Sequence, residues 1–111
     1  MDEQHAAVDA AGAVEYAPES IVSKTIAEHR EGTLTLFAFD AGQGLSEHTT
    51  PFDATILVLD GCAEVRIDRD VHRVDEGALI RLPAGVPHAV QARERFKMLL
   101  IMIRARAGAS A

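Results

Sequence analysis

Two histidines in this chain stand where an imidazole could do chemistry. His88 follows the stretch Gly77 to Pro87, GALIRLPAGVP, in which a short apolar run is closed by a Pro83–Gly85 turn and Pro87. The prolines exclude a helix and set extended or turn geometry. His88 is therefore expected at the start of the next strand, aimed by a stiff turn. His48 follows the glycine-containing segment Gly42 to Glu47 and precedes Thr49, Thr50 and Pro51. Two imidazoles facing one pocket could orient a polar ligand, hold a divalent metal, or exchange a proton near neutral pH. Thr50 could help orient a ligand. Asp53 could add a carboxylate, although strict alternation turns the neighbours of an inward residue outward, and only a bulge near Pro51 would change that. The plainer reading of a histidine at a strand start is structural, hydrogen-bonded to backbone.

The elements that must position these residues are strands. Short β-branched or apolar runs recur between turn signals: Ile21 to Ile26, Thr33 to Phe39, Ala54 to Leu59, Cys62 to Ile67, Val71 to Val74, Ala78 to Leu82, His88 to Ala92 and Phe96 to Ile103. Cys62 to Ile67 alternates, with Ala63, Val65 and Ile67 against Glu64 and Arg66. Asp60-Gly61 reads as a hairpin turn. Asp40 to Glu47 carries two glycines and reads as a loop. No stretch has the pattern of an amphipathic helix. Regular short strands of this kind predict an antiparallel sandwich or small barrel.

At this point the chain resembles the cupin superfamily, the small double-stranded β-helix or RmlC-like jelly-roll proteins. The second cupin motif, G-x5-P-x-G-x2-H-x3-N, is met by Gly77, Pro83, Gly85 and His88, with Ala92 in the Asn position. The first, G-x5-H-x-H-x3,4-E-x6-G, is met by Gly42, His48 and Gly61; Thr50 stands at the second His and Ala54 at the Glu. The resemblance spans about residues 33–103 and extends to uncharacterised single-domain cupins with a similar GQGLSEHT…PFD…G segment. It implies an all-β jelly-roll barrel with a ligand site in its mouth. In many cupins that mouth holds a divalent metal (Zn, Fe, Mn or Ni) through three His and one Glu. Here His48 and His88 keep two of the four ligand positions, with Asp53 as a weak third candidate. Three functions follow: a small-molecule binding module using His48, His88 and Thr50; a metal-dependent dioxygenase, isomerase or decarboxylase; and a metal-free isomerase or epimerase with a histidine base.

Composition narrows the class. At 111 residues the chain makes one domain: an arm over 1–18, the barrel over 19–106 and a tail over 107–111. A net charge of −6 argues against nucleic acid as partner. No apolar run reaches membrane-spanning length, and the acidic start carries no secretory signal, so a cytoplasmic protein is expected. A lone cysteine, Cys62, forms no intrachain disulfide and is expected as a small buried or half-buried strand residue with no base placed near it by sequence. His5, His29 and His72 are expected on the surface. Gly42 and Gly44 lack the strand and helix of a phosphate loop. The last strand is apolar on both sides: Phe96, Met98, Leu100 and Met102 on one, Leu99, Ile101 and Ile103 on the other. One side faces the core; the other needs cover, for which a homodimer is expected, with a second sheet or the N-terminal arm as the alternative.

Overall fold

The computed structural model describes residues 6–105. His5, the first residues of the arm and the tail over 107–111 lie outside the described residues. Nine strands follow one another: β1 (Ile21–His29), β2 (Gly32–Phe39), β3 (Gly44–His48), β4 (Phe52–Asp60), β5 (Cys62–Ile67), β6 (Asp70–Asp75), β7 (Leu79–Leu82), β8 (His88–Gln91) and β9 (Phe96–Arg104). They form a five-stranded sheet, β1-β2-β9-β4-β7, and a four-stranded sheet, β3-β8-β5-β6. Every pairing is antiparallel. The all-β jelly roll expected from the sequence is the fold observed.

Alternation decides which side chains enter the space between the sheets. In β5, Ala63 and Val65 are buried while Arg66 faces solvent. In β9, Phe96 and Met98 are fully buried, and Leu100 and Met102 pack against the same core. The Phe39 and Phe96 rings stack nearly parallel with centroids 4.6 Å apart, so they pack into the core as one block. Ala54 and Ala92, which replace the cupin Glu and Asn, are both buried members of this core.

Two expectations needed correction. Gly44 to His48 is a strand, not a loop. Gly44 lies against β8 so closely that a Cβ would meet the Val90 carbonyl oxygen at 2.6 Å. Its glycine therefore permits close strand pairing instead of breaking the strand. Asp60-Gly61 does not close a hairpin, because β4 pairs with β7 and β9 while β5 pairs with β6 and β8. The turn is a corner at which the chain passes from one sheet to the other. Turn chemistry reveals the reversal but not the partner of the strand that follows it.

The arm lies on the outer face of the larger sheet. A single 3-10 turn at Ala11–Ala13 leads into Val14, which is buried with Leu36 and Ala38 and flanked by Val22, Leu59 and Leu99. Tyr16 donates its hydroxyl to Asp60 Oδ2 at 2.5 Å. Burial and the Asp60 carboxylate together push the phenol well above its usual pKa. The Arg95 guanidinium and the Lys97 ammonium stand 4.5 and 4.8 Å from the ring centre. Lys97 also donates to the Ala11 carbonyl at 2.6 Å. The expected outer face of β9 is thus covered by the arm at its Leu99 end. Tyr16→Phe removes the charge-assisted bond and leaves the ring in place. It should lower unfolding free energy by about 1 kcal/mol in urea titration with an unchanged m-value. An unchanged midpoint would mean that the bond adds nothing to the docked arm.

Candidate functional site

The two histidines meet. β3 and β8 pair so that Gly44 faces Gln91, Leu45 faces Val90 and His48 faces His88. Three residues of β3 are therefore spanned by two of β8. Leu45 points into the core, and simple alternation would turn His48 outward. The extra residue between them restores His48 to the inner side, opposite His88. Glu47 is left on the outer face, where it pairs with Arg66 at 3.0 Å.

His88 is placed by its turn. The Val86 N–H bonds the Pro83 carbonyl at 3.3 Å, and Gly85 takes a φ of +78°. That is the third position of a type II turn, which glycine suits. The Gly85 N–H donates to the Thr50 carbonyl and the Ala84 N–H to Asp53 Oδ1, both at 2.9 Å. On the far side the Asp68 N–H donates to the Pro87 carbonyl at 2.8 Å. His88 itself is 4% exposed, whereas His48 is open to solvent.

Each imidazole bonds the backbone carbonyl two residues before it. His48 Nδ1 lies 2.7 Å from the Ser46 oxygen and His88 Nδ1 lies 3.1 Å from the Val86 oxygen. A carbonyl only accepts, so Nδ1 carries the proton in both rings and Nε2 is left bare in the neutral form. The two Nε2 atoms are 3.1 Å apart. The rings cross at 71° with centroids 4.4 Å apart, so the two lone pairs converge at an angle. Burial, the largest influence, holds the His88 pKa below the usual histidine value. The Val86 carbonyl opposes this and the His48 ring adds to it. At neutral pH His88 is thus a neutral acceptor. Two converging lone pairs repel each other unless an electron-pair acceptor comes between them: a proton, the donor group of a ligand, or a cation.

Thr50 and Asp53, the other sequence candidates, are engaged with backbone groups. Thr50 uses Oγ1 to accept the Phe52 N–H at 3.2 Å and its carbonyl to hold the turn. Asp53 serves the turn and does not join the imidazoles; among the described residues no group of three His, Cys, Asp or Glu side chains is placed to hold a metal. As a test of metal fit, the donors suit an ion in orientation. Nitrogens about 2.1 Å from one ion stand about 3.4 Å apart at a tetrahedral angle and about 3.0 Å apart at a right angle, so the 3.1 Å gap suits right-angled ligation better than tetrahedral. The donors do not suit an ion in number. His29 and His72 are exposed, as expected. Cys62 is half-buried, and burial with the neighbouring Asp75 raises its thiol pKa, so it is a poor nucleophile.

A concavity of about 690 Å³ lies on the outer face of the smaller sheet, lined by Glu47, Glu64, Arg66 and Arg93 among others. Its charges are spent in exposed pairs, Arg66 with Glu47 at 3.0 Å and Arg93 with Glu64 at 2.6 Å. It has no unpaired group comparable to the two imidazoles. Sequence reasoning missed the carbonyl latches of Ser46 and Val86 and the bulge in β3. The bulge leaves a trace in retrospect: Leu45 and His48 must both face inward at odd spacing.

Known proteins agree with this architecture. No curated protein is significantly similar. A conserved protein of unknown function from Streptococcus pyogenes is 35% identical over 95% of this chain and 92% of that one, with a TM-score of 0.89. A cupin superfamily protein from Desulfitobacterium hafniense is 26% identical over 92% and 94%, with a TM-score of 0.87. A cupin 2 conserved barrel domain protein from Leptotrichia buccalis is 39% identical over 85% of this chain, with a TM-score of 0.82, and this chain spans 46% of it. Residues 35–104 match the cupin domain model, more than half of the chain, and the chain belongs to the cupin domain family.

Proposed function

We propose that the protein binds a small molecule in the barrel mouth, anchored on the Nε2 lone pairs of His48 and His88. One observation carries this reading: both Nδ1 atoms are committed to backbone carbonyls while both Nε2 atoms converge to 3.1 Å. Such a pair recognises an acidic N–H or O–H of a ligand. His88, buried and neutral, acts as the fixed acceptor. His48, open to solvent, sits where a ligand enters. A second reading has its own support in the 3.1 Å gap. The pair supplies two neighbouring ligands to a divalent ion, and the bound molecule supplies the rest. When present, that ion would polarise an oxygen of the bound molecule.

Calorimetric titration of untagged protein with Zn²⁺ and Ni²⁺, beside a thermal-shift screen of hydroxylated and N–H-bearing metabolites, tests both readings. Wild-type protein should gain stability with at least one of these, and His88→Ala and His48→Ala should each lose the response. Wild type that answers to neither class, or variants that respond as it does, would refute the assignment.

His88 also sets a pH dependence. Its folded pKa lies below the unfolded value of about 6.5, so the unfolded chain binds more protons than the native one. Its contribution to stability is complete above about pH 6.5 and is lost as pH falls through that value towards the lower folded pKa. Urea midpoints measured from about pH 7.5 to about pH 5 should therefore fall further for wild type than for His88→Gln. Parallel curves would show that His88 is not held neutral by burial.

We also propose a homodimer. Beyond the arm, the outer face of the larger sheet keeps Leu79 and Ile103 61% and 59% exposed. A shallow groove of about 510 Å³ there is lined by Ala27, Leu34, Ile101 and Ile103. Exposed apolar surface of this kind favours a second copy. Ile103→Asp should shift the sedimentation coefficient from dimer to monomer; wild type that already sediments as a monomer contradicts the proposal.

A further inference from the structure

We infer that Asp53 is a positioning residue for His88, acting through the Pro83–Gly85 turn. The inference rests on the reading of the mouth as the binding site. Asp53 follows Thr50 by three residues and opens β4 beside Phe52. Its successor Ala54 is buried in the core, so alternation turns Asp53 away from the barrel interior. From there its carboxylate reaches across 31 residues of sequence to accept the Ala84 N–H at 2.9 Å.

The contacts around that bond give it a role. The segment from His48 to Asp53 grips the turn twice, through the Thr50 carbonyl on Gly85 and through Asp53 on Ala84. The Thr50 contact is backbone to backbone and survives most substitutions. Among the described residues Asp53 makes the one hydrogen bond between a side chain and the Pro83–Gly85 turn. A hydrogen bond from N–H to carboxylate is charge-assisted and stronger than a neutral one. Directly after the turn comes Val86, whose carbonyl fixes the His88 tautomer. Loosening the turn frees that carbonyl, and with it the rule that Nδ1 keeps the proton and Nε2 stays bare. Asp53 thus determines which nitrogen of His88 faces His48 without touching either ring. The bond also ties the two halves of the site together, since His48 and Asp53 lie on one continuous segment and His88 lies on the other.

The test reads the tautomer directly. ¹⁵N spectra of the histidine side chains at about pH 8, where free imidazole is neutral, distinguish a protonated from a bare ring nitrogen. Wild type should show His88 with Nδ1 protonated and Nε2 bare. Asp53→Ala should give a tautomer mixture at His88, while Asp53→Asn, which keeps an acceptor oxygen, should restore the wild-type pattern. Titration with Ni²⁺ alone supplies a second measure, with affinity about tenfold weaker in Asp53→Ala and recovered in Asp53→Asn, as expected for a residue behind a ligating histidine. A wild-type tautomer pattern in Asp53→Ala overturns the inference. So does loss of the whole fold in that variant, seen as collapsed methyl dispersion of Ile56 and Val65, since Asp53 would then support the sheet at large. If wild type fails to bind Ni²⁺, the metal reading falls while the tautomer measurement still decides the role of Asp53.

Discussion

The arrangement of the mouth depends on one extra residue in β3. Without it, Leu45 and His48 would face opposite sides of the smaller sheet, and His48 would join Glu47 and Arg66 in solvent. With it, both face inward, Leu45 into the core and His48 against His88. A strand has a side-chain period of two, so an inserted residue reverses every side chain beyond it. Here the reversal falls just where the apolar interior ends and the open rim begins. The histidine pair is therefore a product of register. The same register leaves Glu47 free to pair with Arg66 across the outer face, so the bulge satisfies both sides of the sheet.

Much of the fold could be read from the sequence, because burial on one or both faces writes itself as alternation or as apolar runs. β4, β5 and β9 are legible in this way, and the second cupin motif places His88 without ambiguity. β3 is not legible. It sits at the edge of its sheet, most of its side chains are exposed, and it carries a glycine whose reason is the approach of Val90. Nothing in the local chain reports a neighbour contributed from 40 residues away. The Asp60-Gly61 corner fails for a related reason: a tight turn looks alike whether the next strand folds back on its own sheet or crosses to the other. The carbonyl latches on both imidazoles lie one step further off, since they depend on backbone direction at Ser46 and Val86.

The larger sheet faces a different constraint. Its inner face closes the core, and its outer face is nearly as apolar, with Leu36, Ala38, Leu57, Leu59, Leu99 and Ile101 on strands that alternate. The arm answers part of this by laying Val14 and Tyr16 over one end. The hydroxyl of Tyr16 then needs an acceptor, and Asp60 provides it at the corner where the chain changes sheets. One residue thus links the arm to the turn joining β4 to β5. The charged groups of Arg95 and Lys97 rest on the ring, as cations near an electron-rich face do.

On the binding proposed for the mouth, what it would recognise follows from what it lacks. The Glu position of the first cupin motif holds Ala54, and this alanine is 3% exposed within the core. Close packing has absorbed the place of the carboxylate, so no vacancy remains there for an acid to refill. Asp53, the adjacent acid, is occupied with the turn. The site therefore presents the two Nε2 atoms and, among the described residues, no carboxylate grouped with them to hold a metal. A ligand carboxylate would meet the Nε2 lone pairs with its own. It would need a proton between the two, and burial of His88 resists that charge on its own ring. The complement of the site is instead a group that accepts electron pairs: a hydroxyl, an N–H, or a cation carrying further donors from the bound molecule. On the binding proposed for the mouth, alanine in place of the acid suits a guest that satisfies the histidine pair over one that completes a charged cage.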